Sequence, residues 1–147
     1  MTQEDKELLL KDISARSPYG VIVGYSTKDN PNTLDKIGRV IYVDIRFGMI
    51  QIQVEYGISY GLSPSEFIKP YLRPMSSMTE EECDVVEEIL GNKCIFDFMS
   101  NGDIIIKQGQ FSQNKLAKLY DYYNLIHVDY RGLIDKGLAL EAPEGMY

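Results

Sequence analysis

One short segment carries the residue types from which catalysis is usually built. His127-Val128-Asp129-Tyr130-Arg131 holds the single histidine of the 147-residue chain, with an aspartate two positions on and an arginine four positions on. In an extended segment these three side chains share one face, and a histidine oriented by a carboxylate can act as a general base. No serine or cysteine nucleophile can be assigned to it, and no Gly-x-Ser-x-Gly elbow occurs. The competing reading is structural. The imidazole would bond to backbone, and Asp129 would pair with Arg131 or Arg73.

A second constellation is acidic. Glu80, Glu81, Glu82, Asp84, Glu87 and Glu88 follow one another with no base between them. On a helix they would form a docking face for a basic partner or a mimic of phosphates. The competing reading is a solvated face, because acids in a first turn favour the helix dipole by about 0.3–1 kcal/mol each. That covers Glu80 to Glu82. It leaves Glu87 and Glu88 at the disfavoured end.

The third is a tyrosine population: eleven Tyr and no Trp. Tyr19, Tyr25, Tyr42, Tyr56, Tyr60 and Tyr71 fall in or beside the strand-rich first half. Tyrosines grouped on a small sheet can line a peptide groove or stack bases. They are also common half-buried strand residues. The candidate binding residues are Tyr25, Tyr42, Tyr60, Tyr71, Arg73, Glu87 and Glu88, and no catalytic residue is assigned.

Metal and cofactor signatures are missing. One histidine cannot build a multi-histidine site, and Cys83 and Cys94 fit no zinc or redox spacing. Both are expected to be reduced core residues. Gly91-Asn92-Lys93 lacks the rest of a phosphate loop, and Asn101-Gly102-Asp103 lacks the further carboxylates of a calcium loop. No cofactor is expected.

These residues need elements to position them. Thr2 caps a short helix over residues 3–14, closed by Ser17-Pro18-Tyr19-Gly20. Val21–Tyr25, Arg39–Arg46 and Met49–Tyr56 read as strands, with Phe47-Gly48 as a turn and Ile58–Leu62 as a shorter strand. In Arg39–Arg46, Ile41, Val43 and Ile45 alternate with Val40, Tyr42 and Asp44. In Met49–Tyr56, Ile50, Ile52, Val54 and Tyr56 alternate with Gln51, Gln53 and Glu55, the pattern of a strand with one face in a core. Ser63–Ile68 reads as one helical turn and Leu72–Ser77 as a linker.

Thr79 and Glu82 form a capping box for the acidic helix, which stops at Gly91. Cys94–Phe98 and Ile104–Lys107 flank Asn101-Gly102 as a hairpin. A helix runs from Ser112 to about Asn124, and a packed tail with a helical turn at Leu133–Lys136 follows.

The fold class expected is α+β. An N-terminal SH3-like small β-barrel unit over residues 1–74 precedes a helix–hairpin–helix unit over 75–147. A flat meander covered by the first helix is the alternative for the first unit. Charge supports the division. Residues 1–74 are neutral, and the formal net charge of -7 lies entirely in 75–147. That balance speaks against general nucleic-acid binding and against an anionic membrane. The acidic start and the brevity of Leu8-Leu9-Leu10 speak against a secretory signal, so a cytoplasmic location is expected.

Two segments are long and unusual: Ile68-Lys69-Pro70-Tyr71-Leu72-Arg73-Pro74-Met75-Ser76-Ser77-Met78-Thr79-Glu80-Glu81-Glu82, and Asp129-Tyr130-Arg131-Gly132-Leu133-Ile134-Asp135-Lys136-Gly137-Leu138-Ala139, with the ending Glu141–Tyr147. In both, the chain resembles a family of uncharacterised proteins from human-gut Bacteroides and their phages and mobile elements. The resemblance implies a setting and no activity.

Three functions are compatible with these features. The first is a non-enzymatic interaction module of a phage or mobile element, binding a protein partner through the Tyr-rich barrel or the acidic helix; a homo-oligomer is compatible with it. The second is a counter-defence protein that sequesters a nucleotide signal or inhibits a host defence factor, with Arg39, Arg46, Lys69 and Arg73 as contacts. The third is a small hydrolase using His127 and Asp129.

Overall fold

The computed structural model describes residues 1–26, 33–54, 57, 59–63, 67–91, 95–98, 104–108 and 113–147, with backbone alone at 59–60, 95–98 and 104–108. It is an α+β protein with three helices and a six-stranded open sheet.

Both capping boxes form as their spacing dictates. Helix α1 (Gln3–Arg16) starts where the Thr2 hydroxyl accepts from the Asp5 N–H and the Asp5 carboxylate accepts from the Thr2 N–H. Helix α2 (Glu80–Leu90) starts in the same way on Thr79 and Glu82 and ends at Gly91. Helix α3 spans Gln113–Leu125. The Ser112 cap lies outside the described residues, as do Cys94, Tyr56 and the Asn101-Gly102 turn.

Strands β1 (Ile22–Tyr25), β2 (Lys36–Asp44), β3 (Met49–Gln53) and β4 (Ser59–Leu62) form an antiparallel meander. Strand β5 (Ile68–Leu72) returns beside β1, and β8 (Leu140–Glu141) adds to β5 in parallel. The sheet order is β4-β3-β2-β1-β5-β8. Strands β6 (Ile95–Phe98) and β7 (Ile104–Gln108) make a separate hairpin.

The expected alternation in β3 is met: Ile50 and Ile52 are fully buried, and Gln51 and Gln53 are exposed. In β2 it fails at one place. A bulge between Val40 and Tyr42 adds a residue, so Val40 and Val43 both face inward across from Ile52 and Ile50. Ile41 and Tyr42 then both lie outward, which is what an extra residue does to the period of two.

Residues 67–72 also differ from expectation, while residues 64–66 of the expected helical turn lie outside the described residues. Ile68–Leu72 is a strand with Ile68, Pro70 and Leu72 buried, not the end of a helical turn and the start of a linker. Pro70 disguised it. It sits opposite Val23 and one residue before the stretch that pairs with β8, a sheet position that tolerates a missing N–H. Through β5 the sheet extends outward to the tail, so residues 140–141 pair with the sheet of the first half.

The core has three parts. Leu9 and Ile13 of α1 cover the inner sheet face over Val21, Val23, Tyr25, Val40, Ile50, Ile52 and Ile68. Val86 and Leu90 of α2 pack on Leu119 and Tyr123 of α3, with Met75 and Val128. Leu72, Leu133, Leu138 and Ala139 form the third part, under the tail. Among the described residues no helix is long and apolar enough to cross a membrane.

Candidate functional site

Helix α1 contributes more than an apolar stripe. Asp12 and Arg16, one turn apart on the face that carries Leu9 and Ile13, are completely buried. The Arg16 guanidinium grips the Asp12 carboxylate with Nε–Oδ2 at 2.9 Å and Nη2–Oδ1 at 3.2 Å. Two further N–H groups donate to the carbonyls of Tyr123 (3.3 Å) and Val128 (2.9 Å). The Tyr123 carbonyl lies in the last turn of α3, where the helix dipole favours a cation.

Arg131 approaches the same carboxylate at 3.1 Å, an ion pair without hydrogen-bond alignment. It also donates to the Tyr130 hydroxyl at 2.6 Å, and that hydroxyl donates to Asn124 Oδ1. Both guanidinium groups lie near the Tyr130 ring, at 5.4 and 4.8 Å from its centroid. Two cations thus share one buried anion, and backbone carbonyls and an aromatic face complete their solvation.

Asp129 is spent elsewhere. Its carboxylate accepts from the N–H groups of Leu133 (2.9 Å) and Ile134 (2.7 Å). It caps the helical turn that closes when Gly137 donates to Ile134 and Leu138 to Leu133. Gly137, with φ of 67°, supplies the left-handed residue this ending requires. The Asp129 N–H donates to the Arg73 carbonyl, while the Arg73 N–H donates to the His127 carbonyl. The expected pairing of Asp129 with Arg131 or Arg73 is therefore corrected. Arg131 goes to Asp12, and Arg73 goes to Glu82 at 2.7 and 2.9 Å. The contact holds the Glu82 carboxyl below its usual range and raises the Arg73 guanidinium.

His127 is buried at a positive φ of 57°, uncommon outside glycine. Its Nε2 lies 3.2 Å from the Tyr19 carbonyl, which assigns the proton to that nitrogen. Nδ1 has no partner among the described residues. The ring stacks on Tyr147 at 3.9 Å. Burial pushes its pKa down to about 4, with Arg16 adding to the effect. The segment turns rather than extends, so His127, Asp129 and Arg131 do not form an oriented base. Tyr147 has its own place. Its hydroxyl accepts from the Ile22 N–H (3.1 Å) and donates to the Tyr71 carbonyl (2.9 Å). Those two groups are where the next pair after Val23 and Pro70 would fall, so the phenol bridges diverging strands.

The tyrosines of the first half do not converge. Tyr25 is 7% exposed and belongs to the core, which removes it from the binding set. Tyr71 is half-buried beside Gly24, and the Tyr60 side chain lies outside the described residues. Tyr42 is exposed on the outer face of β2. Glu87 and Glu88 are exposed, and Glu88 lines a hollow of about 270 Å³ together with Lys115 and Lys118. Arg39, Arg46 and Lys69 sit on separate elements, and the Arg73 guanidinium is held by Glu82. Cys83 is half-buried and free. Among the described residues no three His, Cys, Asp or Glu side chains are placed to hold a metal ion.

Tyr42 is one wall of a larger feature. Across the outer sheet face, Tyr42 pairs with Gln51 and Gln51 with Gly61, while Asp44 pairs with Met49. With Phe47 from the turn these residues line a groove of about 760 Å³. Gly61 gives it a floor: a Cβ there would meet the Met49 methyl at 2.9 Å. Of its lining, Phe47 is 75% exposed and Tyr42 and Met49 about half exposed, and Ile45 and Ile41, next to them in the chain, are 67% and about half exposed. Apolar side chains grouped in this way mark contact surfaces. The sequence points to Tyr42 and not to Phe47 and Met49; the signal for them lies in Ile45-Arg46-Phe47-Gly48-Met49, a turn and strand start with three large apolar residues. Comparison with known protein families, curated proteins and solved structures gave no match.

Proposed function

We propose that the protein is a non-enzymatic interaction module, and that it holds an apolar segment of a protein partner in the groove over β2, β3 and β4. The observation that carries this reading is the glycine-floored hollow lined by the exposed Tyr42, Phe47 and Met49, with Ile41 and Ile45 exposed at neighbouring chain positions. Burying such side chains on association removes apolar area from water at roughly 25 cal/mol per Å² before association costs. The state of the chemical groups supports it from the other side. Asp12, Arg16, Asp129, Arg131 and His127 are engaged in holding the chain together, and a histidine with a pKa near 4 is a weak base at neutral pH.

In this proposal β1 to β5, in the order β4-β3-β2-β1-β5, are the strands of a small SH3-like unit left open between β4 and β5. Residues 75–147 form the second unit, docked through Arg16. A cytoplasmic setting in a phage or mobile element comes from the family resemblance of the junction and tail. The test is a photoreactive p-benzoylphenylalanine at position 47, introduced in the native host. A discrete protein adduct at position 47, abolished by Tyr42→Lys, supports the reading. The absence of any protein adduct there overturns it.

A further inference from the structure

The outer face of β2–β4 is complementary to itself, and we infer that the protein occupying its groove is a second copy of the same chain. This rests on the groove being a protein-binding surface and names the protein. Three features of the patch support the assignment.

The first is shape. A protruding apolar tip and a hollow lie side by side on one face: Ile45 and Phe47 on the turn, and the Gly61 floor between Tyr42, Met49 and Gln51. A two-fold axis through this face sends the tip of each copy into the hollow of the other, the arrangement of an isologous interface.

The second is charge. A surface built for a basic or an acidic partner carries one sign. This one carries both, two positions apart: Asp44, its side chain 17% exposed and accepting from the Arg46 and Phe47 N–H groups, lines the groove, and Arg46 stands beside it with its side chain 83% exposed and its Nε 3.8 Å from Asp44. A two-fold axis sets Arg46 of each copy near Asp44 of the other. The patch is then neutral against itself, as is the whole segment 1–74 around it, while the acids that give the chain its net charge of -7 lie beyond residue 74. Self-association on this face therefore meets little of the repulsion that the net charge suggests.

The third is extent. Tyr42, Phe47 and Met49 of the groove, with the exposed Ile41 and Ile45 next to them in the chain, expose on the order of several hundred Å², which together with the polar rim approaches the roughly 800 Å² per partner of a standard interface. Strand β4 is also a sheet edge among the described residues, so its backbone adds hydrogen-bonding groups next to the same patch.

Sedimentation of the purified full chain up to about 100 µM decides the matter, because a micromolar dimer is nearly complete there. The expected result is a species of twice the chain mass. Phe47→Lys should weaken dimerisation at least tenfold, and Arg46→Glu should weaken it also, while Glu87→Lys on the far helix should leave it unchanged. Phe47 is an exposed turn residue, so its variant should keep the wild-type melting curve, which separates lost association from lost folding. A monomer at every concentration overturns the inference, and so does a dimer indifferent to position 47. If a monomer still gives a position-47 adduct to a different protein, the groove reading stands and only its occupant changes. If it gives neither dimer nor adduct, both fall.

Discussion

Replacing Arg16 by Met tests how the two halves of the chain are joined. Methionine keeps the unbranched length and the helix propensity of the site but removes every donor. Asp12 would be left, fully buried, with Arg131 at 3.1 Å as its remaining cation. The carbonyls of Tyr123 and Val128 would lose the guanidinium donor that each accepts. Breaking a buried ion pair on one side costs about 3–5 kcal/mol, and a buried acceptor that loses its donor costs about 1–3 kcal/mol. Because Arg131 and the carbonyls' other contacts offset part of this, about 4 kcal/mol is the expected loss. For 147 residues the unfolding entropy is about 0.3 kcal/mol/K, so Tm should fall by about 10–15 °C in a calorimetric scan. A cycle with Asp12→Asn should show a coupling of about 2 kcal/mol or more between the two positions. A fall of less than about 3 °C, or additive effects, would refute the assignment of Arg16 as the joint.

Other perturbations have outcomes that the contacts fix. His127 is neutral when folded down to about pH 4 but titrates near 6.5 when unfolded. Acid therefore protonates the unfolded chain first, and stability should drop by about 2 kcal/mol between pH 6.5 and about 5, above the carboxylate range; a flat urea-denaturation profile across that window would contradict the buried neutral ring. Tyr147→Phe keeps the stack on His127 and deletes the bridge between Ile22 and Tyr71, so a loss of about 1–2 kcal/mol by chemical denaturation is expected. Arg131→Ala should cost less than Arg16→Met, about 1–2 kcal/mol, since Arg131 is part-exposed and Asp12 keeps Arg16. Glu82→Gln should cost about 1 kcal/mol and raise the amide exchange of the first turn of α2, because it loosens Arg73 and the capping box together.

What the sequence disclosed followed from local rules. The Thr2 cap, the Thr79 box, the alternation of Ile50 and Ile52 and the stop at Gly91 depend on residues within a few positions of one another, and all form. What it concealed depends on distant partners. Pro70 hid a strand, because a central proline argues against one unless its neighbours are known. The bulge at Ile41 is set by pairing with β3, so the facing of Ile41 and Tyr42 could not follow from alternation alone. Arg16 was half legible: it lies four residues after Asp12 on the stripe of Leu9 and Ile13, a spacing that places charge in the core, but its acceptors lie more than a hundred residues away. For the groove, a tyrosine count favoured rings that turned out to pack inward, as Tyr25 does, while the exposed surface came from a hairpin turn with Phe47.

The proposed role stands on the groove, and cross-linking at its rim tests it most directly. A p-benzoylphenylalanine at position 47 should yield a discrete protein adduct in the native host, whether to a second copy or to another chain, and Tyr42→Lys should abolish it. The same probe at Glu88, on the solvent face of α2, should yield none. No adduct at position 47, or equal adducts at 47 and 88, would contradict the account.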